Sequence, residues 1–248
     1  MDLKMFDAYS LKARYYPTVI VLAPLCLIVL AACSGVWDPV KGIMGAIVSA
    51  LGMAFVLDQV GRDQGKKKEP GLYQAWGGKP STRMLRHRDD ALDPVTRARY
   101  HEKLAGLVKG VKIPTAEQEA AAPEAADVVY ESCATFLRQN TRGTEFALLF
   151  QENTNYGFRR NLWGMKPAGI VISIVGTLGC AALTAWYLLA GKAEWLVAAM
   201  SVAVCTVLLV LWMFRFTPDW VRIPAEEYAR QLLAACDSLG GNKQADSK

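Results

Sequence analysis

Four long apolar runs divide the chain: Pro17 to Val36, Val40 to Val60, Ala168 to Ala190 and Trp195 to Phe214. Each reaches the roughly 20 residues that a helix needs to cross the hydrocarbon core. Charge inside them is confined to Lys41 and Asp58, toward the two ends of the second run. One such run would suit a buried helix of a soluble core, but four do not. Trp37, Asp38 and Pro39 separate the first pair and Gly191 to Glu194 the second. Connections this short predict antiparallel hairpins. The expected fold is an all-α integral membrane protein with four transmembrane helices, arranged as two hairpins flanking a small helical cytoplasmic domain. Its expected segments are an N-terminal stretch over 1–16, a hairpin over 17–60, the helical domain over 61–167, a second hairpin over 168–216, and a tail with a short helix over 217–248.

The polar stretch between the hairpins reads as short helices. Gly65 to Pro80, rich in Gly, Lys and Pro, reads as loop. Asp93-Pro94 is a helix start, with Asp as cap and Pro at the first position, and the helix is expected to run to about Lys109 before Gly110. Its apolar positions are Val95, Leu104, Leu107 and Val108. Thr115 to Pro123 reads as an Ala/Glu linker. A second helix is expected over about Glu124 to Asn140, with Val128, Val129, Cys133, Phe136 and Leu137 on one stripe. A third, about Thr144 to Glu152, carries Phe146, Leu148, Leu149 and Phe150.

Charge then sets the threading. Of 28 Lys and Arg residues, only Lys41 and Lys192 lie in the tight turns. Basic residues near membrane ends stay cytoplasmic. The expectation is a multi-pass protein of the bacterial inner membrane with both termini and the central domain inside. Leu30-Ala31-Ala32-Cys33 resembles a lipoprotein cleavage site. The long preceding segment with Asp2 and Asp7 argues against one, so the first span is expected to be retained. Six cysteines in 248 residues exclude a disulfide scaffold.

Small residues mark packing faces. Ala46, Ala50 and Ala54 recur every four residues in the second span, and Ser173, Thr177 and Ala181 do so in the third. This spacing lets backbones approach closely in lipid, within the bundle or between copies, and a homo-oligomer is expected. No span carries an ionisable group near its middle, which disfavours a proton-coupled transporter.

The central domain is electrically divided. From Gly61 to Lys112 it holds 13 basic and 6 acidic residues; from Ile113 to Phe158 it holds 2 and 7. The basic half suits anionic headgroups. A sharper reading gives Arg83, Arg86 and Arg88, with Trp76 for stacking, to an anionic ligand. The acidic half suits solvent or a basic, soluble cytoplasmic protein partner, and nucleic acid is not expected. The stretch Asn153 to Met165 mixes amides, aromatics and an Arg pair around two glycines. It reads as an interfacial elbow. Tyr156 and Trp163 would dip among headgroups, Arg159 and Arg160 would bind lipid phosphate, and Gly157 and Gly164 would form a hinge coupling the domain to the third span.

Catalytic patterns are incomplete. Gly77-Gly78-Lys79-Pro80-Ser81-Thr82 lacks the first glycine of a phosphate loop and has Pro80 where the hydroxyl is needed. His87-Arg88-Asp89 lacks the other kinase elements. With only His87 and His101, no His-rich metal site forms, and neither metal nor cofactor is expected. The expected function is that of a non-enzymatic oligomeric membrane protein acting as sensor, scaffold or membrane-perturbing effector, one form being a bacterial defence or stress effector. A channel or transport component is the alternative, and a membrane-tethered enzyme the third.

Overall fold

The computed structural model describes residues 9–34 and 61–245, with side chains as far as Leu239. The second apolar run, with Ala46, Ala50 and Ala54, lies outside the described residues. What is described is all-helical, with no strand. It divides into two compact units, one of residues 70–156 and 222–245, the other of residues 9–34, 61–69 and 157–221.

The second unit contains three helices long and apolar enough to cross a membrane: α1 (Leu11–Cys33), α8 (Lys166–Leu189) and α9 (Trp195–Arg215). Each packs against the other two. α1 starts six residues before the apolar run because its basic first turns have a docking role: Ala13 is fully buried, and its carbonyl accepts from Asn161 Nδ2 at 2.7 Å. Pro24 lies inside α1 and fits against Gly176 of α8, where an added Cβ would come within 2.5 Å of the proline Cβ. α8 stops in a Schellman motif. Lys192 N–H donates to Tyr187 O at 2.9 Å and Gly191 N–H to Leu188 O at 3.2 Å, with Gly191 at φ +63°. Only glycine takes that conformation without strain.

Two further helices belong in part to this unit: α2, helical over 61–75, and α7 (Ala147–Gly164). The expected loop from Gly65 is thus helical as far as residue 75. Gly65 serves close packing: a Cβ there would lie 2.6 Å from Asn161 Oδ1, and one at Gly164 would lie 2.6 Å from Gly65 N. This contact outweighs the roughly 1 kcal/mol that glycine costs a helix.

The first unit holds α3 (Pro80–Arg83), α4 (Pro94–Leu107), α5 (Ala116–Ala121), α6 (Pro123–Asn140) and most of α10 (Pro218–Ala245). Asp93 caps α4, its carboxylate accepting from Thr96 N–H at 2.8 Å. The expected Ala/Glu linker is instead α5, held by a capping box in which Thr115 and Gln118 exchange side-chain and backbone bonds. The buried face of α6 is Ala126, Tyr130, Cys133 and Leu137, while Val128 is 71% exposed. Aliphatic content had suggested Val128, whereas helical geometry selects the alanine and tyrosine. On α4 the buried residues are Tyr100 and Leu104, and Val95 points to solvent. The tail, expected to hold a short helix, is the long α10, whose Ala229, Leu232, Leu233 and Cys236 sit in the same core as Leu104 and Tyr130.

Candidate functional site

The polar centre of the first unit starts at the end of α2. Trp76-Gly77-Gly78 forms another Schellman motif, with Gly78 N–H donating to Tyr73 O at 2.8 Å and Gly77 N–H to Gln74 O at 3.2 Å. Gly77 and Gly78 take φ of +77° and +135°, and Lys79-Pro80 then opens α3. The resemblance to a phosphate loop is therefore a helix stop followed by a helix start. Gly78 also makes room for Arg86, whose Nη2 would lie 2.7 Å from a Cβ at that position.

The arginines expected to hold an anion face carboxylates and carbonyls of their own unit. Arg86 makes a two-pronged bond to Asp127, at 2.7 and 2.6 Å, and donates to Gly77 O at 2.7 Å. Arg83 Nη2 donates to Glu226 at 2.7 Å, Nη1 to Trp76 O at 3.1 Å, and Nε lies 2.9 Å from Asp89 Oδ2. Arg88 Nε approaches Glu119 at 3.8 Å. Trp76 is buried, with its ring edge-on to Tyr73. The set is a structural lattice joining α3, α6 and α10.

Its buried centre is Glu119, 2% exposed, which the sequence reading passed over. Oε2 accepts from His87 N–H at 2.7 Å and from the Tyr130 hydroxyl at 2.8 Å. Burial pushes this carboxyl upward, but the donors outweigh it and hold it below the usual range. Burial first, and then the hydrogen bond to Glu119 and its charge, push the Tyr130 phenol well up. His101 stacks on Tyr130 at 5.7 Å and lies edge-on to His87 at 4.9 Å; its Nε2 donates to Leu85 O at 2.8 Å. Both histidines are thus engaged by backbone carbonyls: His101 ties α4 to the connection before it, and His87 Nε2 donates to Pro114 O at 2.9 Å, tying that connection to the one before α5. The sequence did carry a signal for Glu119: the Thr115-x-x-Gln118 box predicts a helix start, and Glu119 follows it.

The expected elbow is the second half of α7, a continuous helix. Gly157 packs against Tyr9 and Ala13, and Gly164 against the α2 backbone, so both glycines serve close approach within helix instead of a hinge. Arg160 is 8% exposed; it donates to Glu69 at 3.1 Å and to Asn161 Oδ1. These bonds make it a strut within the second unit. Arg159 donates to Trp220 O at 2.9 Å and lies over the Trp220 ring at 4.8 Å, with Arg215 over the same ring at 5.5 Å. Trp163 is approached by Lys68, 5.6 Å from its ring centre. Tyr156 is buried in the first unit, its hydroxyl 3.3 Å from that of Tyr73 and its ring stacked on Tyr228.

On α8 the inward face is Gly169, Ser173, Gly176 and Cys180, packed against Trp212, Pro24 and Cys205. Ser173 thus lies on it, Thr177 is half-buried and returns its hydroxyl to Ser173 O at 2.9 Å, and Ala181 is exposed. A strict four-residue stripe rotates by about 40° per step on a helix of 3.6 residues per turn, so Ala181 has left the inner face.

Comparison of the chain with protein-family models, with curated proteins and with solved structures found no match.

Proposed function

We propose that this is a non-enzymatic, oligomeric inner-membrane protein that receives a signal or partner through its soluble helical unit and acts on the bilayer through its spans. The proposed threading has four spans in two hairpins, with the soluble unit and both termini cytoplasmic. A bacterial defence or stress effector is one form of this reading, and it rests on architecture alone.

The observation that carries the proposal is the two-sided build of α8. Gly169, Ser173, Gly176 and Cys180 pack inward, while Val171, Leu178 and Leu189 point outward at 59%, 66% and 90% exposure. On α9, Val207 and Phe214 are likewise exposed. Large apolar side chains around a small-residue seam suit lipid or a second copy, and do not suit water. The soluble unit supports a receiving role because it has its own core and a lattice of ion pairs, so a bound molecule would meet a formed surface. Two measurements test the reading. Reporter fusions after Lys109 and Lys248 should give a cytoplasmic signal, and those after Lys41 and Lys192 a periplasmic one. Native mass spectrometry in mild detergent should show more than one copy. A periplasmic Lys109, or only monomer, would overturn it.

A further inference from the structure

A half-open cavity of about 270 Å³ lies in the soluble unit where α6 ends, α7 begins and α10 passes. Its wall has an aromatic part, Phe146, Phe150 and Tyr228, and a polar part, Arg138, Arg142 and Asn153. Among the described residues no carboxylate lines it. The arginines of the neighbouring lattice are each matched to an acid. These are not. Arg142 and Asn153 make no side-chain hydrogen bond or ion pair with the described residues. Arg138 donates to Glu131 at 2.7 Å, but Lys79 binds that same carboxylate oxygen at 2.8 Å, so one acid is shared between two cations. The cavity therefore combines surplus positive charge, an amide with free donors and acceptor, and three half-buried rings.

We propose that this cavity binds a small organic anion with a flat ring, of the aryl phosphate or nucleoside monophosphate class. Arg138 and Arg142 take the phosphate, since planar guanidinium groups match its oxygens in pairs. Phe146, Phe150 and Tyr228 receive the ring, and Asn153 pairs with a polar edge. Size sets the upper limit. Ligand cavities usually run from about 300 to 1,000 Å³, so this one suits a small ligand with one flat ring system and a single phosphate. The assignment deepens the signal-receiving role proposed above by naming the class of signal, and it depends on that reading only for its meaning in the cell.

Glu145 supplies an internal control. Its carboxylate lies against Gly143, which lines the cavity, and its charge opposes an incoming anion.

The test uses the full-length protein in detergent and isothermal titration with phenyl phosphate, the four nucleoside 5′-monophosphates, inorganic phosphate and adenosine. At least one ring-bearing phosphate should bind about tenfold or more tightly than either inorganic phosphate or adenosine. Arg142→Ala should weaken it about tenfold, the equivalent of about 1.4 kcal/mol, with the unfolding temperature unchanged because Arg142 is exposed and unpaired. Phe146→Leu should weaken the ring-bearing ligands and leave inorganic phosphate unaffected. Glu145→Gln should tighten binding a few-fold. Phenyl phosphate as the tighter ligand would assign a simple aryl phosphate, and a monophosphate a nucleotide. Binding by none of the probes, equal binding of inorganic phosphate, or unchanged binding by Arg142→Ala would overturn the assignment. Binding lost in Arg142→Ala with cellular activity intact would keep the site and sink the signal-receiving role instead.

Discussion

His101 shows how tightly single groups are committed in the first unit. Its ring is stacked on Tyr130, edge-on to His87, hydrogen-bonded to Leu85 O, and near Arg97 and Glu119. Burial comes first and the nearby Arg97 later in disfavouring its charged form, and together they outweigh the hydrogen bond to Leu85 O, so its pKa lies below the ordinary value. The sign follows. Below about pH 6.5 the unfolded chain binds a proton here that the native ring resists. Stability should therefore fall as pH drops through that value, well before the carboxylates matter. Glu119, Glu131 and Glu226 are all held below their usual range, and their contribution is lost only below about pH 4.3. Labelling of the buried thiols Cys133 and Cys236, pushed up by burial to about 11 and 12, reports opening of this core. The opening free energy derived from it should fall from pH 7.5 to 5.5, and less so in His101→Gln. A drop of equal size in that variant would place the titration elsewhere. Glu119→Ala strands the His87 N–H and the Tyr130 hydroxyl, at about 1–3 kcal/mol for each buried donor. Glu119→Gln keeps the volume and one acceptor and should cost less. Denaturant midpoints at pH 7.5 rank the two, and equal losses would remove the hydrogen bonds from the account.

At the scale of elements, the readable features were those with strong local chemistry. Asp93-Pro94 starts α4, and apolar length marks α1, α8 and α9. Less readable was anything decided by a partner surface. Gly65, Gly157 and Gly164 carry the marks of loop and hinge, yet each lies in helix because another chain segment needs the space of a side chain. Arg83 and Arg86 read as free charge because their acids, Glu226 and Asp127, stand 143 and 41 residues away. The aromatic cavity was invisible for the same reason: Tyr228 is remote in sequence from Phe146. Two substitutions test the role of the small residues. Ser173→Leu should disrupt the bundle of α1, α8 and α9, because the side chain is fully buried and overpacking costs about 1–3 kcal/mol. Ala181→Leu should leave the bundle intact, because it is exposed. Thermal unfolding in detergent separates them. Native mass spectrometry of the Ala181 variant then asks whether that outer face joins copies.

At the scale of the whole molecule, the first unit is assembled from two separated stretches of chain. Residues 70–156 supply α3 to α6 and the start of α7; residues 222–239 supply the part of α10 that completes the core. Leu232, Leu233 and Cys236 are fully buried among side chains of α4 and α6, and Ala229 nearly so. Polar links reinforce the join: Arg230 donates to Ala91 O at 2.7 Å, and Glu226 receives both Arg83 and Arg222. Leu232→Ala should cost about 2–5 kcal/mol, the range for a buried leucine. That is a large share of the roughly 5–15 kcal/mol that holds an ordinary domain. Ending the chain before Arg222 removes all these contacts at once, along with the Glu226 partner of Arg83. The first unit should then lose its cooperative fold while the three membrane-type helices, whose contacts lie in the other unit, still insert. Limited proteolysis of the membrane-inserted protein decides it. Cleavage should spread through residues 94–140 in the truncated chain and stay confined to connections such as 109–115 in the intact one. Protection of α4 and α6 without α10 would mean that the central segment folds alone and that the C-terminal helix is an addition to its core.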